Sequence, residues 1–150
     1  MSIKEQVEQD LKQAMLAGEK TLVTTLRGVK SAILNEEIAN NARDTGLPDE
    51  KVQQILGKEA KKRQESADLY TQGGNQEKAD AELVEKEVIQ KYLPAQLSED
   101  ELRKLVDEAI AQTGATGPQQ MGQVIGAVKQ QAGASADGGL IAKLAKEKLT

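Results

Sequence analysis

Aromatic side chains are almost absent from this sequence. Only Tyr70 and Tyr92 are aromatic among its 150 residues. A hydrophobic core must therefore be built from Leu, Ile, Val, Ala and Met, since hydrophobic residues still make up 38% of the chain. Strands are enriched in aromatic and β-branched residues, so this composition disfavours a β-sandwich and favours packed helices. We expect an all-α fold.

A break in the helical pattern falls at Pro94. Proline in a helix interior costs roughly 3 kcal/mol and favours an extended conformation at the preceding residue. A helix should therefore end near Tyr92. Ser98 and Glu101 follow with the spacing of a capping box, which marks a new helix start. The sequence predicts two domains, an N-terminal helical domain over residues 1–93 and a C-terminal three-helix domain over residues 94–150.

Four helical patterns precede this break. The first starts at a capping box formed by Ser2 and Glu5, and the second starts near residues 19–21. We expect Asp49 to cap the third helix, and the turn residues 73–75 to lead into the fourth. Helices three and four should pair as a long antiparallel hairpin. The fourth helix is expected to bury a stripe made of Ala81, Val84, Val88 and Tyr92.

Three shorter amphipathic patterns follow the break. Apolar residues recur at helical spacing over residues 102–110, 121–128 and 140–149. Gly114 should end the first of these helices, and Pro118 suits the first turn of the second. Three helices of this size form a small bundle.

The chain has no Cys and no His. This composition excludes thiol catalysis and cysteine-based zinc sites, and it removes the commonest general acid–base residue. Carboxylates are abundant, but Glu36 and Glu37 are expected on a solvated face, and the acidic residues 99–101 at a helix start. We therefore predict no catalytic residue, no metal site and no cofactor.

A charged cluster on the third helix is the candidate partner-binding site. It consists of Lys58, Glu59, Lys62 and Arg63. Glu59 and Arg63 are spaced i,i+4, so one interpretation is a partly sheltered ion pair that fixes helix register. The other interpretation is a polar patch for a partner. The lysines form either a solvated helix face or a phosphate contact.

The segment after Gln120 holds the candidate RNA-binding residues. Gly122 and Gly126 are spaced i,i+4 in a helical pattern, where each costs about 1 kcal/mol relative to Ala. Either a neighbouring helix or a nucleic-acid backbone should therefore approach the helix closely at these two glycines. Lysines outnumber acidic residues in this segment, and Gly138 stands at a helix start, where free amides attract anions. The candidates are Lys129, Lys143, Lys146, Gly122, Gly126 and Gly138.

Several motifs together resemble the YqeY family along essentially the whole chain. They are Thr25-Leu26-Arg27-Gly28-Val29-Lys30-Ser31-Ala32-Ile33, Arg63-Gln64-Glu65-Ser66, Tyr92-Leu93-Pro94-Ala95-Gln96-Leu97-Ser98, Met121-Gly122-Gln123-Val124-Ile125-Gly126 and Ala136-Asp137-Gly138. YqeY proteins are similar to the C-terminal tail of the GatB subunit of tRNA-dependent amidotransferases, and a related appendage occurs on some glutaminyl-tRNA synthetases. The resemblance implies a helical domain followed by a three-helix domain, and contact with tRNA. The position before Ala136-Asp137-Gly138 is often basic in this family, and here the preceding pair is Ala134-Ser135. A possible phosphate contact is therefore lost.

Three functions remain open at this point. The leading hypothesis is a non-catalytic module that interacts with tRNA, alone or beside an amidotransferase or an aminoacyl-tRNA synthetase. The second is a helical protein–protein adaptor that uses the hairpin of helices three and four. The third, implied by the family link, is a carbon–nitrogen ligase with glutamine as the amido-nitrogen donor. No signal pattern or membrane-length apolar run is found, so we expect a cytoplasmic protein without membrane partners.

Overall fold

The computed structural model describes residues 1–150, and all of its regular secondary structure is helical, which confirms the all-α class. The chain divides into two compact units, Met1–Leu93 and Pro94–Thr150. The first unit contains α1 (Ile3–Ala17), α2 (Lys20–Ala39), α3 (Asp49–Gln72) and α4 (Gln76–Gln90). The second contains α5 (Glu99–Thr113), α6 (Met121–Ala132) and α7 (Gly138–Leu149), with 3₁₀ turns at Pro118–Gln120 and Gly133–Ser135.

The first helix of the N-terminal unit is capped as its sequence predicts. The Ser2 hydroxyl accepts from the Glu5 N–H at 3.1 Å, and the Glu5 carboxylate accepts from the Ser2 N–H at 2.9 Å. Aliphatic side chains from all four helices then form one core around the fully buried Leu26, Leu56 and Ile89. This core holds α1 and α2 against the α3–α4 pair.

Helices α3 and α4 form the predicted antiparallel hairpin. Gly74 turns the chain at φ 79°, a conformation that glycine adopts without strain. The Asn75 side chain then caps α4 by accepting from the Lys78 N–H at 3.2 Å. Farther from the turn, Lys86 Nζ donates to Gln64 Oε1 at 2.6 Å, which joins the two helices through polar side chains.

The predicted cap at Asp49 is wrong. Pro48 occupies the cap position of α3, and it makes no side-chain hydrogen bond there. Asp49 is instead the first residue of the helix, and its Oδ1 accepts from the Ile3 N–H at 3.1 Å. Its carboxylate therefore satisfies a free amide at the start of α1 and ties together the starts of two helices.

The predicted stripe on α4 is only half right, since Val88 and Tyr92 pack against the core but Ala81 and Val84 do not. Ala79 and Ile89 are fully buried, whereas Ala81 is exposed and Val84 is 48% exposed. Ala79 lies in the first turn of α4, directly after the hairpin turn. Apolar spacing alone does not contain this information, because α4 carries apolar residues on more than one face.

The C-terminal unit is a three-helix arrangement whose linker is fastened to it. The capping box of Ser98 and Glu101 is present, with hydrogen bonds of 3.1 and 3.0 Å, and it starts α5. Just before it, the Leu97 N–H donates to the Ser135 carbonyl at 2.8 Å, and the Gln96 amide donates to the Ala134 carbonyl at 2.9 Å. The core is aliphatic, with Leu102, Val106, Val124, Val128, Ile141 and Leu144 at its centre.

No helix in either unit combines the length and the apolar character that a membrane crossing requires.

Candidate nucleic-acid interface

The outward face of α6 presents bare backbone at two positions. Gly122 and Gly126 are exposed, and a Cβ placed on either would meet nothing from the rest of the protein within 4 Å. Close packing of another helix therefore does not account for these glycines, and that interpretation of the sequence is wrong. The opposite face of α6 is the packed one, through Val124 and Val128. We call the surface formed by Gly122, Gly126 and Lys129 the glycine face.

The glycine face contains no acidic residue. Uncharged residues run from Ala109 to Val128, the longest such stretch in a chain with 24 acidic side chains, and Lys129 is the first charge after it. Lys129 is exposed and lies three residues after Gly126, so the two share one side of the helix. The face is therefore neutral to positive in a protein whose net charge is −4.

Lys129 and Gly138 are brought together by the turn between α6 and α7. A Cβ on Gly138 would stand 3.1 Å from Lys129 Cε and 3.3 Å from its Nζ. The lysine side chain thus occupies the space that a larger residue at position 138 would fill. Gly138 opens α7 directly after Asp137, whose carboxylate makes no cap hydrogen bond. Lys129 therefore carries its charge to the start of α7.

Lys143 and Lys146 are exposed on α7, but α5 supplies acidic neighbours. The pKa of the Glu99 carboxyl is lowered first by its hydrogen bond from Arg103, then by the charge of Arg103, and also by the charge of Lys143. Lys143 therefore lies near an acidic helix start. Lys146 is exposed and forms no ion pair.

Alternating charges connect α5 and α7. Arg103 is 3.7 Å from Glu147, and Lys148 is 3.4 Å from Asp107. Acidic residues of α5 thus partly neutralise Lys143 and Lys148, two lysines of the locally basic segment. Counting charges within that segment alone does not reveal this. Lys129 and Lys146 take part in neither of these ion pairs.

In the N-terminal unit, two of the four candidate partner-binding residues are sheltered. The Glu59 and Arg63 side chains are only 14% and 18% exposed, and they form the i,i+4 ion pair that their spacing predicts. Arg63 Nε also lies 3.8 Å from Glu85 Oε2 on α4. These side chains join helices inside the unit, so they are not a free surface for a partner.

The Arg63 guanidinium also lies against α2. A Cβ on Gly28 would be 3.6 Å from its Nη2, which is an ordinary van der Waals contact, so the guanidinium packs beside this glycine. Thr25, which is 1% exposed, directs its hydroxyl to the Thr21 carbonyl at 2.9 Å and to Glu85 Oε1 at 3.4 Å. The result is a polar cluster between α2, α3 and α4. Sequence reasoning missed Thr25 and Glu85, because their partners are distant in the chain.

Lys58 and Lys62 remain at the surface. Both are exposed, and they line a groove of about 270 Å³ between α2 and α3. Lys62 Nζ is 3.4 Å from Glu59 Oε1. The candidate cluster thus separates into an internal pair and two external lysines.

Glu37 is a second buried charge, and its expected place on a solvated face is wrong. Its side chain is 0% exposed, and Lys4 Nζ approaches its Oε1 at 2.8 Å. Neither carboxylate oxygen accepts an aligned hydrogen bond. The Lys4 charge is therefore the interaction that compensates for burial of this carboxylate. The sequence does not reveal the contact with Lys4, although Glu37 stands four residues after the buried Ile33 on the same side of α2.

A family model described as "Yqey-like protein" matches residues 4–149. The chain belongs to the YqeY family. The resemblance noted in the sequence is therefore confirmed over almost the whole chain.

Two curated relatives carry the name "Altered inheritance of mitochondria protein 41, mitochondrial". The protein from Eremothecium gossypii is 36% identical over 89 residues, which cover 59% of this chain and 48% of the relative. The protein from Clavispora lusitaniae is 35% identical over 99 residues, which cover 64% of this chain and 56% of the relative. The chain thus spans about half the length of the curated relatives it matches.

The relatives' names contradict the cytoplasmic localisation expected from the sequence. Both relatives are named as mitochondrial proteins. The expectation was based on the absence of a signal pattern and of a membrane-length apolar run, and neither observation distinguishes between compartments inside a cell.

The motifs that resemble the YqeY family acquire structural roles in these units. Thr25, Gly28 and Arg63 meet in the polar cluster of the N-terminal unit. Gln96 and Leu97 fasten the linker to the C-terminal unit. The motif at residues 121–126 is different, because its glycines meet no part of the protein. Internal contacts account for the first two motifs and not for the third.

Proposed function

We propose that this YqeY protein binds tRNA through the glycine face of α6. The observation that carries the proposal is the pair Gly122 and Gly126, which lower the stability of a helix by about 1 kcal/mol each and face open space. A stable helix would carry alanine there unless a large molecule approached the backbone closely. The resemblance to the GatB tail supports tRNA as that molecule.

The chemistry of the face suits a sugar–phosphate backbone. Lys129 supplies the charge for a phosphate, and no carboxylate on α6 opposes it. Gln123 and Gln130 are exposed on one flank of the glycines, and their amides can both donate to and accept from a ribose 2′-hydroxyl. Both tyrosines precede Pro94, so the C-terminal unit has no aromatic ring for base stacking. Recognition by shape and backbone is the mode that remains.

The lysines of α7 contribute unequally in this proposal. Lys146 is exposed and unpaired, so it provides a further phosphate contact. Lys143 lies near Glu99, whose charge offsets part of its attraction for a phosphate. The role proposed for the chain is binding, with no catalytic step.

The test is tRNA binding measured by fluorescence anisotropy over a range of salt concentrations. Lys129→Gln should weaken binding and reduce the slope of log K against log salt by about 0.7–0.9, because one phosphate contact is lost. Lys104→Gln on α5 is the matched control, since it removes the same charge from an exposed lysine outside the face. Lys143→Gln should have a smaller effect than Lys129→Gln.

Equal effects of Lys129→Gln and Lys104→Gln would show that tRNA senses only the net charge of the protein, which would refute the assigned face. Absence of measurable tRNA binding by the parent chain at low salt would remove the proposed function.

A further inference from the structure

The groove between α2 and α3 is lined mainly by polar and charged side chains around a small apolar patch. Its volume is about 270 Å³, with Ala32 and Ile55 among the lining residues. Asn35 on α2 and Gln54 on α3 supply side-chain amides at its edges. Such amides can bond to polar side chains of a ligand as donors or acceptors. Glu59 connects the groove to the internal polar cluster, because it lines the groove and pairs with Arg63.

Three lysines of α3 line one edge of the groove. They are Lys51, Lys58 and Lys62, which we call the lysine rim. Their spacings of seven and four residues keep them on one side of the helix. In a helix that rises 1.5 Å per residue, these spacings correspond to about 10.5 and 6 Å along the axis.

The carboxylates near the rim are already engaged. Glu59 is paired with the sheltered Arg63, and Glu36 Oε1 accepts from the Asn40 amide at 3.2 Å. Lys62 is 68% exposed and only 3.4 Å from Glu59, which it shares with Arg63. Lys51 and Lys58 have no ion-pair partner. Two of the three rim lysines, Lys51 and Lys58, are therefore available to carboxylates of a ligand, and Lys62 shares Glu59 with Arg63.

We propose that this groove binds an acidic, amphipathic helical segment of a partner protein. Apolar side chains of such a segment would cover Ala32 and Ile55, and its carboxylates would meet the lysine rim. A helix lying parallel to α3 would need acidic residues at i, i+7 and i+11, or at i, i+4 and i+11 if it ran in the opposite direction. Helix-in-groove recognition of this kind uses one apolar face and charges along its border.

A peptide fits this groove better than RNA does. Ala32 and Ile55 offer a surface that apolar side chains of a peptide can cover and that a sugar–phosphate backbone does not use. The groove also lacks an aromatic side chain on which a base could stack. The lysine rim is therefore assigned to a protein, and the glycine face of α6 to RNA.

The experiment uses the full chain and two synthetic fluorescein-labelled helical peptides of identical composition. The matched peptide carries glutamates at i, i+7 and i+11 beside an apolar stripe, and the mismatched peptide distributes the same glutamates around the helix. The matched peptide should bind more tightly, and added salt should weaken it. Lys58→Gln with Lys62→Gln should lower its affinity by about ten-fold.

The control variant is Lys12→Gln with Lys20→Gln, which removes two exposed lysines elsewhere in the same unit and should leave peptide binding unchanged. Equal binding of the two peptides, or no binding of either, would overturn the inference. Loss of tRNA binding in the Lys58/Lys62 variant, without specific peptide binding, would also overturn it by assigning the groove to RNA.

Discussion

Replacing Gly126 by alanine should stabilise the C-terminal unit, although the change enlarges a residue in the middle of a helix. A Cβ at this position meets nothing within 4 Å, so no overpacking opposes it. Alanine is favoured over glycine in a helix interior by about 0.8–1.0 kcal/mol. For a unit of this size, that gain corresponds to a rise of about 4–8 °C in Tm.

Gly122→Ala has the same basis. The two gains in stability should add to about 2 kcal/mol, because the two new methyl groups contact no common residue. Gly114→Ala is the matched control of opposite sign. Gly114 ends α5 at φ 68°, where a side chain is strained, so alanine should lower stability by about 1 kcal/mol.

The assay is thermal and urea unfolding of the full chain followed by circular dichroism, with tRNA affinity measured on the same variants. Gly126→Ala should melt at a higher temperature and bind tRNA more weakly, because the methyl group holds the RNA backbone away from α6. A lower melting temperature would mean that packing covers the glycine face, and the structural reasoning would fail. Higher stability with unchanged affinity would instead remove these glycines from the RNA contact.

Three further predictions concern the buried Glu37, the ionisation of Tyr92 and the independent folding of the C-terminal unit. Lys4→Met should lower the free energy of unfolding by about 3 kcal/mol. This is the low end for a broken buried ion pair, because Lys4 is partly exposed. Urea unfolding should show that adding Glu37→Met restores most of the loss. Burial and the hydrogen bond to Asp10 raise the pKa of Tyr92, so stability should fall as the pH rises above roughly 10, where unfolded tyrosines ionise. Tyr92→Phe should reduce that slope, and an unchanged slope would contradict it. A fragment of residues 95–150 should show a cooperative thermal transition, and a featureless melt would mean that the C-terminal unit needs the rest of the chain.

Local sequence signals were sufficient for the helices and several of their ends. Both capping boxes, at Ser2 and at Ser98, depend on residues within three positions of each other, so spacing alone predicts them. The hairpin likewise follows from a turn motif between two helical patterns. These features were predictable because their partners are close in sequence.

Features set by distant partners were not predictable. Asp49 reaches the amide of Ile3 across 46 positions, and Glu37 is buried against Lys4. In each case the deciding group belongs to another helix, and the apolar period of a single helix carries no information about it.

The candidate sites were predictable in residue type but not in environment. The spacing of Gly122 and Gly126 identified them, yet only the structure distinguishes open space from a packed helix. The sequence identifies Arg63 as part of a basic cluster. Its burial beside Glu85 depends on α4, the helix that pairs with α3 in the hairpin. The acidic neighbours of Lys143 come from α5 in the same way.

Selective ¹⁵N labelling of glycine tests the proposed RNA contact most directly. The chain has 13 glycines, which gives a small set of amide signals distributed over both units. On titration with tRNA, the signals of Gly122, Gly126 and Gly138 should shift or broaden first, while those of Gly18 and Gly46 in the N-terminal unit stay unchanged. Perturbation confined to the N-terminal unit, or none at saturating tRNA, would contradict the assignment of the glycine face to RNA.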